Sequence, residues 1–273
     1  MNIAIIYFSA TSNTKAMARI IGEHFETQGS KAVLHDVTTP EARDAGVDLS
    51  GCDAVVFGLP VHSLRAPRIM RDWLATLDGN DMPCAMFFTF GGFMVHPAHH
   101  STAEILKTRG FKVVASAEFP GEHTYNLGGW QAFPDRPDSR EYTLADSYVE
   151  AACKRFSGTD NGVLTDLPQG LFSDEELTHF ETLRFKIVSK LPSREGAECS
   201  LCGLCEDICP SGAMDHASGI ADPETCIACL GCVAACPEGA LVINSTRESW
   251  EPKLAMSKTT ETELNNQTGK IYL

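Results

Sequence analysis

Through the first 156 positions, short apolar runs alternate with longer amphipathic stretches. Residues 2–7, 32–35, 54–58, 84–89 and 112–117 read as strands. Several of these are almost unbroken apolar runs, the pattern of strands covered on both faces. Between them, 14–25, 67–77, 97–109 and 140–156 carry apolar positions at helical spacing. Pro67 and Pro97 stand where first-turn prolines belong, and Gly110 stands just past a helix end. Strands alternating with helices predict an α/β fold on a doubly wound, five-stranded parallel sheet. Such a sheet binds ligands in the loops beyond the carboxyl ends of its strands.

The period is lost over 157–170, a stretch carrying Gly, Pro, Asp and Asn. Ser173 and Glu176 then form a capping box. Leu177, Phe180, Ile187 and Leu191 follow at roughly helical spacing, and Pro192 closes the run. This is a helix linking two halves, or a last helix of the first half. The predicted domains are therefore 1–156, a helical linker 157–194, a small α+β domain 195–245, and a polar tail 246–273 whose pattern specifies no element.

Size is consistent with this division, since 273 residues allow one full-sized domain and a smaller one. A net charge of −14 argues against nucleic acid or an anionic membrane as partner. The acidity is densest in the small domain: eight Asp or Glu and no Lys or Arg lie between Glu195 and Asn244. That face suits a redox protein with a basic docking patch, and more weakly as salt rises. No apolar run approaches the ~20 residues of a membrane helix. The first ten residues lack a basic region and a cleavage site. The expectation is a soluble, cytoplasmic protein without membrane insertion.

Eight of the eleven cysteines fall in two runs. Cys199, Cys202, Cys205 and Cys209 followed by Pro210 have the spacing C-x2-C-x2-C-x3-C-P, and Cys226, Cys229, Cys232 and Cys236 followed by Pro237 repeat it. Three thiolates two residues apart wrap a tight loop around one face of a metal–sulfur cube. The fourth lies a turn away, and in two-cluster proteins it ligates the other cluster. Cys199, Cys202, Cys205 and Cys236 are thus the expected ligands of one [4Fe–4S] cluster, and Cys226, Cys229, Cys232 and Cys209 of a second. The prolines end the helical turn, and Gly203 and Gly231 are expected to let the backbone approach the cube. Zinc ribbons, the competing reading, use two C-x2-C pairs instead. Over roughly 195–245 the chain resembles bacterial two-cluster ferredoxins.

The first strand runs into Ser9, Ala10, Thr11, Ser12, Asn13 and Thr14 and then a helix. A hydroxyl-rich loop opening a helix is an anion site or simply a helix cap. It resembles the flavodoxin signature [S/T]-x-T-G-x-T, which cradles the FMN 5′-phosphate; Ser12 replaces its glycine. The resemblance implies FMN at Ser9, Thr11, Ser12, Asn13 and Thr14. It also implies an isoalloxazine ring between Pro60, Val61, His62 and Ser63 on one side and Thr89, Phe90, Gly91, Gly92 and Phe93 on the other. Phe119, Pro120 and Gly121 with Tyr125 and Trp130 form a further candidate flap. His96, His99 and His100 lack a nearby carboxylate pair and read as surface or pocket lining.

Together the halves resemble the flavodoxin–ferredoxin fusion proteins of anaerobes. The resemblance implies an electron-transfer iron–sulfur flavoprotein. The alternatives are a flavoenzyme reducing a small organic substrate, quinone or flavin, with His62, His99, His100 or Tyr125 as proton donor, and a ferredoxin with a flavin-free docking domain.

Overall fold

The computed structural model describes residues 1–165, 167–168, 171–187 and 189–273. Five parallel strands form as expected: β1 (Asn2–Tyr7), β2 (Lys31–Asp36), β3 (Ala54–Pro60), β4 (Pro83–Phe90) and β5 (Lys112–Pro120). Their order in the sheet is β2-β1-β3-β4-β5. This is the flavodoxin-like order, in which the chain reverses direction between β1 and β3 and leaves a crevice there. The helices are α1 (Asn13–Thr27), α2 (Pro40–Ala45), α3 (Arg68–Leu74), α4 (His96–Thr108) and α5 (Ser139–Phe156). Pro67 is the residue before α3 rather than within its first turn. The short α2 was not legible as a periodic stretch; its Thr39 hydroxyl accepts from the Ala42 amide at 3.4 Å.

Alternation along β1 divides the core. Ile3, Ile5 and Tyr7 pack with Met17, Ile21 and Phe25 of α1 and Tyr148 of α5. Ala4 and Ile6 face the layer containing Met70, Trp73 and Leu106 of α3 and α4.

Beyond this domain, α6 (Asp174–Ile187) carries the expected capping box, with Ser173 N donating to Glu176 Oε2 at 2.7 Å. It is tied to the first half: Arg71 Nη1 donates to Glu181 Oε1 at 2.7 Å and Arg65 Nε to the same oxygen at 3.1 Å. Positions 166, 169 and 170 of the expected boundary, position 188 of the linker and the Ile187 side chain lie outside what is described. The cysteine module holds α7 (Leu204–Asp207), the antiparallel pair β6 (Met214–Asp215) and β7 (Ile220–Ala221), and α8 (Gly231–Ala235).

The tail departs from expectation. It forms α9 (Trp250–Met256), α10 (Glu261–Asn265) and β8 (Lys270–Tyr272), and β8 joins the sheet antiparallel to β5 as a sixth strand. Trp250, Leu254, Leu264 and Tyr272 are buried in the first-domain core. Four anchors in a polar segment are too widely spaced to read as a period. The apolar core also takes in Leu230 of the second cysteine run, which is 1% exposed.

Candidate functional site

The two cysteine runs have the same backbone. Leu201 and Gly203 in the first, and Ala228 and Leu230 at the matching positions of the second, all have φ between 54° and 80°. Left-handed residues alternating with ordinary ones turn successive amides toward one side, which makes a concave nest suited to an iron–sulfur centre. Leu230 occupies the position that Gly203 fills in the first run. A non-glycine residue there costs about 1 kcal/mol, offset by burying its side chain in the neighbouring domain.

Cys199, Cys202, Cys205 and Cys236 line one solvent-open pocket of about 380 Å3. Around Cys232, burial and then the charges of Cys229, Cys226 and Cys209 push the thiol up. Both foursomes therefore combine three cysteines of one run with the last of the other. Amides point at sulfur in both: Leu201 N lies 3.4 Å from Cys199 Sγ, Ala240 N 3.3 Å from Cys236 Sγ, and Ala213 N 3.2 Å from Cys209 Sγ. Burial pushes the Cys236 thiol up, but the amides of Leu241, Glu238, Ala240 and Gly239 outweigh it and hold the thiol below its ordinary range. Four sulfurs around a pocket with inward amides fit a cubane.

The two glycines meet different surroundings. Gly203 has φ +80° and open space where a Cβ would go. A Cβ on Gly231 would stand 2.8 Å from the Ala10 carbonyl oxygen. Gly231 thus makes room for the loop after β1.

That loop is built as an anion cradle. Ser12 takes φ 70° and ψ −13°, the conformation glycine would supply. Ser9 Oγ accepts from Lys15 N at 3.0 Å, which leaves its proton free to donate, and Ser9 N donates to Thr38 Oγ1 at 2.8 Å. Thr14 Oγ1 and Thr89 Oγ1 are 2.7 Å apart and buried, and Asn13 Nδ2 donates to Glu122 O at 2.7 Å. Among the described residues, the amides of Ala10 to Thr14 take no acceptor. Five free amides at the positive end of a 15-residue helix fit a phosphate.

A solvent-open cleft of about 510 Å3 leads away from the cradle. Pro60, Val61 and His62 line one side and Thr89, Phe90 and Gly91 another. Ser63 is not in the lining: with Leu64 it forms the centre of a tight turn, φ 47° and 74°, closed by Arg65 N donating to His62 O at 3.1 Å. Nor are Gly92 and Phe93. A Cβ on Gly92 would lie 2.6 Å from Leu264 of the tail, and Phe93 packs edge-on against Trp130 and Trp250. The tail, invisible as structure in the sequence, draws these two residues away.

Four lining residues come from the loop after β5: Gly121, Glu122, His123 and Thr124. Gly121 belongs to the candidate flap expected from the sequence; the rule that ligands sit beyond strand ends was the signal that could have found the other three. His123 Nδ1 accepts from Tyr125 N at 3.0 Å, so the neutral ring carries its proton on Nε2. Of the other candidate proton donors, His99 is buried behind β5, with Nδ1 2.7 Å from Ser116 Oγ and Nε2 3.3 Å from Glu118 Oε2. One more lining residue closes the cleft: Cys229, from the second cysteine set.

Residues 191–237 match a family model described as a 4Fe-4S dicluster domain. Protein NrfC of Escherichia coli strain K12 is 33% identical over 97 residues, which cover 32% of this chain and 37% of that protein. The chain thus spans little more than a third of its curated relative. Among solved structures, a flavodoxin from the Archaea is 16% identical at a TM-score of 0.43, and oxidised Flavodoxin 2 from Bacillus cereus 16% identical at 0.45. Each alignment covers 57% of this chain and 99% of the flavodoxin. No helix among the described residues is long and apolar enough to cross a membrane. The strand order and the dicluster match together describe a flavodoxin-like domain joined to a 4Fe-4S module.

Proposed function

We propose that this chain holds two [4Fe–4S] clusters and one FMN, and passes single electrons between them in the cytoplasm. Cys199, Cys202, Cys205 and Cys236 hold the outer cluster; Cys226, Cys229, Cys232 and Cys209 hold the inner one. The amides of Ala10 to Thr14 and the hydroxyls of Ser9 and Thr11 take the FMN phosphate, and the Pro60–His62 and Thr89–Gly91 segments flank its ring. Clusters exchange one electron at a time and a flavin one or two, so their pairing converts between the two regimes. The observation carrying this reading is that Cys229 lines the same cleft as the phosphate cradle. A cluster ligand at that wall puts both cofactors in one site.

The outer set includes an exposed cysteine, Cys202, beside exposed Leu201 and Leu204. With the surrounding carboxylates it forms the face offered to a redox partner bearing a basic patch. Anaerobically purified protein is expected to contain about eight irons and one flavin per chain. No flavin, or distinctly less iron, contradicts the proposal.

A further inference from the structure

We infer that Arg43 is the positioning residue that fixes the inner cluster's loop against the flavin phosphate loop. This rests on the proposed cofactors but concerns how the two loops are joined. The Arg43 guanidinium spends its donors on three carbonyls. Nη1 donates to Val37 O at 3.0 Å and Thr38 O at 2.7 Å, and Nη2 to Pro210 O at 2.5 Å. Pro210 directly follows Cys209, the ligand that the first run contributes to the inner set. Thr38 in turn accepts the Ser9 amide, while its own amide and hydroxyl donate to Asp36 Oδ1 at 3.1 and 2.5 Å. Asp36 also lies 3.6 Å from Lys15 Nζ. One polar chain therefore runs from Cys209 through Arg43 and Thr38 to Ser9.

Arg43 is itself held. It sits on α2, and Trp73 Nε1 donates to its carbonyl at 3.1 Å. The inner set is gripped at its other side where Gly231 meets Ala10. The pocket of the outer set, by contrast, is lined among the described residues by Arg194 and by residues of its own module up to Leu241. The planar fork of arginine can span carbonyls from two loops, which the point charge of lysine does less well.

The step affected is one electron leaving a reduced cluster and entering the flavin; dithionite supplies the electrons in the test. Anaerobic stopped-flow reduction of wild type, Arg43→Ala and Arg43→Lys follows cluster and flavin bleaching separately. Iron content, flavin content and both potentials are measured alongside. Arg43→Ala is expected to slow flavin reduction about tenfold at unchanged potentials, as small displacements do at a reacting centre, with Arg43→Lys between it and wild type. Hydrogen exchange should show the bonded amides of Ser9 and Lys15 losing protection in step. Wild-type transfer and wild-type protection in both variants overturn the inference. If Arg43→Ala sheds its clusters, Arg43→Lys decides on the same readouts. If wild type lacks flavin, the proposed function fails, while the exchange of the Ser9 and Lys15 amides still decides whether Arg43 couples the loops.

Discussion

Ser12 stands where the flavodoxin signature has glycine, and it keeps the glycine's backbone with φ 70°. The loop's geometry is therefore imposed by its surroundings rather than by its own preference. The hydrogen bonds of Ser9, Asn13 and Thr14 on either side hold it there. Substituting Val, a β-branched residue poorly suited to left-handed backbone, should cost about 1–2 kcal/mol of stability. FMN binding should weaken with it, because the strained residue orients the free amides. Ser12→Gly should stay within about 1 kcal/mol of wild type, relief of strain being offset by the freedom glycine gains when unfolded. Denaturant unfolding and flavin-fluorescence titration measure both. A Val variant equal to wild type in both assays would show that the conformation costs nothing.

The strand β8 is a smaller element with a larger consequence. It lays Tyr272 over the edge of the sheet, where its hydroxyl donates to Glu118 Oε2 at 2.9 Å and its ring lies 4.8 Å from that of His99. Phe88 packs on the other side of His99 at 4.6 Å. Burial holds the His99 pKa below its ordinary 6.5, opposed by the nearby Glu118. Below pH 6.5 the unfolded chain thus binds a proton that the folded one resists. The stabilising effect is full above that pH and is lost as pH falls through it toward the depressed folded value. His99→Gln, which cannot titrate, should flatten the fall in unfolding free energy between about pH 7 and pH 5 relative to wild type. Parallel curves for the two proteins would remove His99 from the account.

At the scale of the molecule, the two cysteine foursomes are unequal in their surroundings. The inner set forms a wall of the cleft and reaches the first-domain core through Leu230; the outer set lines a pocket whose described walls run from Arg194 to Leu241. Cys236→Ala should lower iron from about eight to about four per chain and leave the flavin in place. Cys209→Ala should lose the inner cluster and, with it, about tenfold in FMN affinity, equivalent to about 1.4 kcal/mol. Iron analysis with flavin titration separates the two variants. If Cys236→Ala is the one that loses flavin, the assignment of inner and outer sets is reversed.

Local spacing alone determined the parts of this protein that short-range chemistry governs. The repeated C-x2-C-x2-C-x3-C-P runs specify cluster loops because ligand geometry is set within a few residues. The apolar runs of β1, β3 and β4 declare strands buried on both faces. The small hydroxyl-rich loop before α1 marks an anion site by position in such a sheet. Only the tertiary structure decided what depends on distant residues meeting. Gly231 against Ala10, Arg43 across to Pro210, and Cys229 in the cleft wall are contacts between segments over a hundred residues apart. Gly92 and Phe93 turn toward the tail because Leu264 and Trp250 bury there, and no local period announces that burial. Spacing marked a cysteine module and an anion loop; packing made the two neighbours.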